Sequence, residues 1–123
     1  MSGAATISAF HAHVYFDPAT QPAAAALREA LAASFSVPLG RWHDGPIGPH
    51  TKGNCEVRFP VEQLGAVVAW LMLRRGELSV LIHPLTGDVL ADHATYPMWL
   101  GEQVPLDLEV LRAYLEAKTS KPA

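Results

Sequence analysis

Residues 7–16, ISAFHAHVYF, alternate between apolar and polar positions with the period of a half-buried strand. Phe10, Ala12, Val14 and Phe16 fall on one face, and His11, His13 and Tyr15 on the other. The pattern then changes to helical spacing. Thr20 can cap a helix with Pro22 in its first turn, and Leu27, Ala30, Leu31, Ser34 and Phe35 give it a stripe. A second strand is expected over Val37–His43, followed by DGPIGPHTKGN, whose glycines and prolines predict a shaped loop. Cys55-Glu56-Val57-Arg58-Phe59 alternates again as a third strand. Pro60 opens a second helix, VEQLGAVVAWLMLRRG. Leu64, Val68, Leu71 and Met72 are placed on its core face, and Gly76 forms a left-handed cap. Leu78–His83 is a fourth strand. The turn Leu85-Thr86-Gly87-Asp88 is expected to fold a short fifth strand, Val89–Asp92, back upon it. The loop HATYPMWLGEQVPL leads to a last helix, capped by Asp107 with a Leu108, Leu111, Leu115 stripe; the tail TSKPA reads as loose.

The order β-α-β-β-α-β is the split βαβ, ferredoxin-like pattern of the α+β class. It predicts a four-stranded antiparallel sheet with both helices on one face, plus a C-terminal hairpin, loop and helix. With strand order 4-1-3-2, the first strand is central. It is expected to run parallel to the third and antiparallel to the fourth, so that its start lies beside the start of the third and the end of the fourth. Alternation leaves Asn54, Glu56 and Arg58 of the third strand, and Ser79, Leu81 and His83 of the fourth, on the face away from the helices. His11, His13, His83 and Glu56 then converge at one end of that face. His50 enters from the Gly/Pro loop, and His93 can fold over from beyond the fifth strand.

A chain of 123 residues with half of them apolar suits one domain, spanning 1–123, with one core. A formal net charge of −3 without Lys/Arg clusters argues against nucleic-acid or anionic-membrane partners. No apolar run is long enough to span a bilayer, and the polar start MSGAATIS lacks a signal peptide's regions. A cytoplasmic protein is the expectation. The single cysteine, Cys55, excludes an intrachain disulfide and a multi-thiolate zinc site. Six histidines is a high count for this length, and it turns the convergence into candidate chemistry. Two histidines and a carboxylate leave open positions on a non-haem Fe(II) ion, and the same ligands can hold catalytic zinc with an activated water. The residues alone are equally compatible with hydrogen-bonded surface histidines and with an ion pair of Glu56 to Arg58 or Arg41.

FHAHVYFDP, GPIGPHTKGNCEVRF and LIHPLTGDVLADHATYPMWLGEQVPLD together resemble the DOPA 4,5-dioxygenase family, in its order and approximate spacing, from about residue 10 to about 115. The resemblance implies an extradiol, ring-cleaving dioxygenase that opens a catechol with non-haem Fe(II) and O₂. The family's histidine motifs map onto His11 and His13, His50, His83 and His93. His11, His13 and His83 are the expected metal ligands, with Glu56 as the carboxylate and His50 as a rival. His50 or His93 would move protons. Tyr15, Trp42, Arg58, Tyr96 and Trp99, with Met98, are candidates to line the substrate pocket. A small aromatic diol and O₂ are the implied partners. A homodimer is expected because such sheets pair through an open face or edge. A non-catalytic small-ligand-binding domain and a zinc-dependent enzyme are the alternatives; the absence of a GxSxG motif argues against covalent hydrolysis.

Overall fold

The computed structural model describes residues 6–119. The polar start (1–5) and the tail from 120 onward, including most of the segment read as loose, lie outside the described residues. Among the described residues there are five strands: β1 (Ala9–Phe16), β2 (Leu39–His43), β3 (Gly53–Pro60), β4 (Val80–Pro84) and β5 (Met98–Leu100). Four helices accompany them: α1 (Gln21–Phe35), α2 (Leu64–Arg74), α3 (Val89–Ala94) and α4 (Leu108–Thr119). The sheet order is β2-β3-β1-β4-β5, the ferredoxin-like arrangement with one strand added beside β4. Among the described residues no helix is long and apolar enough to cross a membrane.

The alternation of β1 divides the protein. Phe10, Ala12, Val14 and Phe16 pack with Cys55, Val57 and Phe59 of β3 and Val80 and Ile82 of β4 beneath Leu27 and Leu31 of α1 and Val67 and Leu71 of α2. On the opposite face Tyr15, Leu81 and Val104 form a second, smaller cluster with Trp99 and Leu106. Gly76 takes the left-handed conformation (φ +57°) expected at the end of α2. The stripes differ in detail from expectation. Ala24 and Ala32 are buried on α1 in place of Ala30 and Ser34, so the stripe is rotated to where methyl groups let the helix approach the sheet. On α2, Val67 takes the central position while Met72 is 61 % exposed, because a helix of 11 residues presents only one narrow face to the core.

Two expectations are corrected. β1 runs antiparallel to β3, not parallel, since the split βαβ connection returns β2 parallel to β1 and inserts β3 between them. The start of β1 therefore faces the end of β3: His11 pairs with Arg58, His13 with Glu56 and Tyr15 with Asn54. The expected pairing with the end of β4 holds, with His11 opposite His83. The second correction concerns Val89–Asp92, which is the helix α3 rather than a hairpin strand. The Asp88 side chain accepts a hydrogen bond from the Ala91 N–H at 3.0 Å, capping that helix. The strand that pairs with β4 is instead Met98–Leu100.

Candidate metal centre

His13 sits in the middle of the sheet's second face. The Asn54 Nδ2–H donates to the Lys52 carbonyl at 3.1 Å, which leaves Asn54 Oδ1 facing His13 Nδ1 at 3.2 Å. An amide oxygen only accepts, so His13 must carry its proton on Nδ1 and present Nε2 as a lone pair. His83 is fixed in the same way: its Nδ1–H donates to the Pro84 carbonyl at 2.9 Å. The two Nε2 atoms, both without a proton, lie 3.1 Å apart. Facing lone pairs repel unless a cation lies between them. Two nitrogens each ~2.0–2.1 Å from one metal would be about 2.9 Å apart at right angles and about 3.3 Å apart at the tetrahedral angle, and the observed separation falls between these. The donor set therefore fits a divalent metal, with the outer nitrogens held by carbonyl and amide oxygens, as metal-binding histidines generally are.

Other histidines extend the cluster. Ligand atoms of His11, His13 and His83 lie within 4.8 Å of one another, as do those of His13, His50 and His93, so His13 belongs to both triads. Glu56 Oε2 is 3.4 Å from His11 Nδ1 and 3.7 Å from His13 Nε2. His93 is carried by α3, where its Nδ1–H donates to the Val89 carbonyl one turn back at 2.8 Å. His50 is held by a tight turn in which it exchanges backbone hydrogen bonds with Ile47 at 2.9 and 3.0 Å. That loop is tied to the segment before α4 by the Asp107 N–H on the Pro49 carbonyl, 2.8 Å. The His50 ring stacks on His13, and its Nδ1 lies 2.7 Å from the Tyr15 hydroxyl.

These groups surround a cavity of about 260 Å³ that all six histidines line, His43 included. Every buried polar or charged residue among the described residues (His13, His50, Asn54, His83, Asp92 and His93) also lines it. Burying polar groups is costly, so their collection in one place marks a site rather than chance. Burial keeps His13, His50 and His83 neutral. It holds His13 well below its ordinary value, with His50 and His83 adding repulsion. His50 falls to about 3 and His83 to about 4, again chiefly through burial. His11 is lowered less simply, by burial against the opposing pull of Glu56. Burial pushes the Tyr15 phenol up, so it stays un-ionised.

The pocket candidates divide. Tyr15 touches the cluster through His50 and stacks on Trp99, at 5.7 Å between ring centroids. Trp42 lies on the other face against Phe16, beneath the Arg28 guanidinium. Arg58 is exposed beyond His11, and Tyr96 is exposed on the α3–β5 connection; none of these five candidates lines the cavity itself, and Tyr15 reaches it only through His50. Asn54, Asp92, His43 and Arg41 do line it, though sequence reasoning assigned them no role there. Asn54 was legible, since alternation already puts it on the histidine face. Asp92 became hidden once its helix was read as a strand. Its carboxylate accepts from the Thr86 N–H at 3.1 Å and orders the turn beneath His93.

The sequence matches the Dopa 4,5-dioxygenase family over residues 10–110. It is 39 % identical over 111 residues to a DOPA 4,5-dioxygenase of Amanita muscaria, covering 83 % of this chain and 49 % of that protein. It is 37 % identical over 124 residues to an uncharacterized 21.2 kDa protein of Botryotinia fuckeliana, covering 91 % of this chain and 68 % of that one. The chain thus spans about half the length of the first of these relatives. The fold superposes on the crystal structure of a "putative dioxygenase" from Nostoc punctiforme with a TM-score of 0.85 and 54 % identity, covering 88 % of this chain and 94 % of that one.

Proposed function

The chain belongs to the DOPA 4,5-dioxygenase family, and from that premise we propose that it is an extradiol dioxygenase that cleaves a catechol ring with non-haem Fe(II) and O₂. The observation that carries this reading is the pair of unprotonated Nε2 atoms of His13 and His83, 3.1 Å apart in a buried cavity. His11, His13 and His83 are the proposed ligands, with the Glu56 carboxylate beside them. Fe(II) held by these residues would supply a Lewis acid that lowers the pKa of a bound catechol and a site for O₂. The chain's own contribution is placement and proton handling. His93, with Nδ1–H committed to Val89, turns an Nε2 lone pair to the cavity and is suited to take a catechol proton. Ile47, Leu85 and Val89 supply apolar wall against which an aromatic ring can pack.

Anaerobic reconstitution with Fe(II), followed by caffeate, protocatechuate or L-DOPA in aerated buffer, tests the reading. Near-UV or visible absorbance of a ring-opened semialdehyde is expected. Iron bound at one equivalent without turnover of any catechol would instead support a binding domain. The same proposal includes a cytoplasmic location and a homodimer, the homodimer favoured by the edge strand β5 and the exposed side chains of Met98 within it and Tyr96 just before it. Sedimentation as a monomer at micromolar concentration would remove that part.

A further inference from the structure

The clustered histidines do not share one protonation pattern, and the difference follows from what each Nδ1 touches. His13, His83 and His93 all place Nδ1 against an oxygen that can only accept: Asn54 Oδ1, the Pro84 carbonyl and the Val89 carbonyl. Their protons are on Nδ1 and their Nε2 lone pairs are free. His50 Nδ1 alone faces a group able to donate, the Tyr15 hydroxyl at 2.7 Å. That hydroxyl belongs to a residue only 2 % exposed, and among the described residues it has no second acceptor. Were His50 to carry its proton on Nδ1, the phenolic O–H would be buried without a partner. That arrangement is disfavoured by about tenfold or more.

We infer that Tyr15 donates to His50 Nδ1 and thereby fixes His50 in the opposite tautomer, with an N–H on Nε2. His50 is then a hydrogen-bond donor in a cavity of acceptors. It is no ligand for a cation in this state, and it is matched instead to an anionic oxygen of the bound substrate. Tyr15 is a positioning residue, acting through His50. This deepens the dioxygenase reading and rests on it only for the identity of the anion, a catecholate oxygen. Of the two triads, it favours His11, His13 and His83 as the one that holds the ion.

The tautomers are read directly from long-range ¹H–¹⁵N correlations in uniformly ¹⁵N-labelled, metal-free protein, with the His50 signals identified by their loss in His50→Gln. His50 should show a protonated Nε2, and His13 and His83 a protonated Nδ1. A His50 ring protonated on Nδ1 overturns the inference. In Tyr15→Phe the His50 ring should become a mixture or switch tautomer; an unchanged tautomer would show that Tyr15 does not set it. Should that variant fail to fold, the wild-type spectrum still decides. Titration with Zn(II) as a diamagnetic probe should move Nε2 of His13 and His83 and leave the His50 Nε2–H in place. Loss of that proton on zinc binding makes His50 a ligand and refutes the assignment. Because the tautomers are measured without metal or substrate, failure of the dioxygenase reading would be seen separately.

Discussion

Acidifying the metal-free protein should unfold it at a pH where most domains of this size are intact. His13, His50 and His83 are neutral in the fold and held below the ordinary value of 6.5, His50 to about 3 and His83 to about 4. The unfolded chain, with histidines near 6.5, therefore binds more protons than the folded one as pH falls. The sign follows: stability is fully present above 6.5 and is lost as pH drops toward the folded values. Between pH 7 and pH 5 each such histidine removes about 2 kcal/mol, since a full unit of differential protonation is worth about 1.36 kcal/mol. Three together remove about 6 kcal/mol, comparable with the whole stability of a typical domain, about 5–15 kcal/mol. Urea denaturation of EDTA-treated protein, followed by far-UV circular dichroism at half-unit steps from pH 7.5 to 4.5, gives the measurement. The midpoint should be flat above about pH 7 and fall steeply below 6.5. A midpoint that stays level or rises between pH 7 and pH 5 would refute the neutral, buried state of these imidazoles. Excess Zn(II) or Fe(II) at pH 7 should raise the midpoint, because the ion binds the folded arrangement.

Asn54→Ala removes the oxygen that sets the His13 tautomer, and metal affinity should fall about 10- to 100-fold while the fold persists; isothermal titration with Zn(II) measures it, and an affinity within twofold of wild type would contradict the role. Gly40→Ala should destabilise by about 2 kcal/mol or more, because a Cβ there would lie 2.2 Å from the Glu56 backbone oxygen and 2.8 Å from its Cγ. Thermal melts should show that loss, together with weaker metal binding as Glu56 is displaced. Cys55, fully buried with its thiol pushed up to about 11, should react with a disulfide reagent only in denaturant; stoichiometric labelling of native protein would show that the helix face opens readily.

Much of this was legible because strand alternation is a local property. The faces of Phe10 through Phe16 and of Cys55 through Phe59 follow from neighbours two residues away, and they carry the histidines with them. Strand direction is not local, which is why β3 was oriented wrongly although its faces were right. A stretch as short as VLADHA fits both a period of two and one of 3.6; the Asp88 cap and the Asp92–Thr86 bonds select the helix. Trp42 is a pocket candidate by residue type alone, and β2 offers no further guide: its register shifts between Leu39 and Trp42, so alternation does not carry one face along that strand. Tautomers lie furthest from the sequence, since each depends on an oxygen brought close only by folding, such as the Lys52 carbonyl that orients Asn54.

The division of labour along β1 also limits how the protein can change. Inserting or deleting one residue within Ala9–Phe16 would exchange the two faces beyond that point, sending phenylalanines into the histidine cavity and imidazoles beneath the helices. That strand can vary by substitution but not in length. The loop from Asp44 to Lys52 and the segment from Gly101 to Asp107 carry no such constraint of parity, only the requirement to deliver His50. Differences in chain length among relatives should therefore fall in those connections, where they reshape the cavity mouth for other substrates while leaving its floor unchanged.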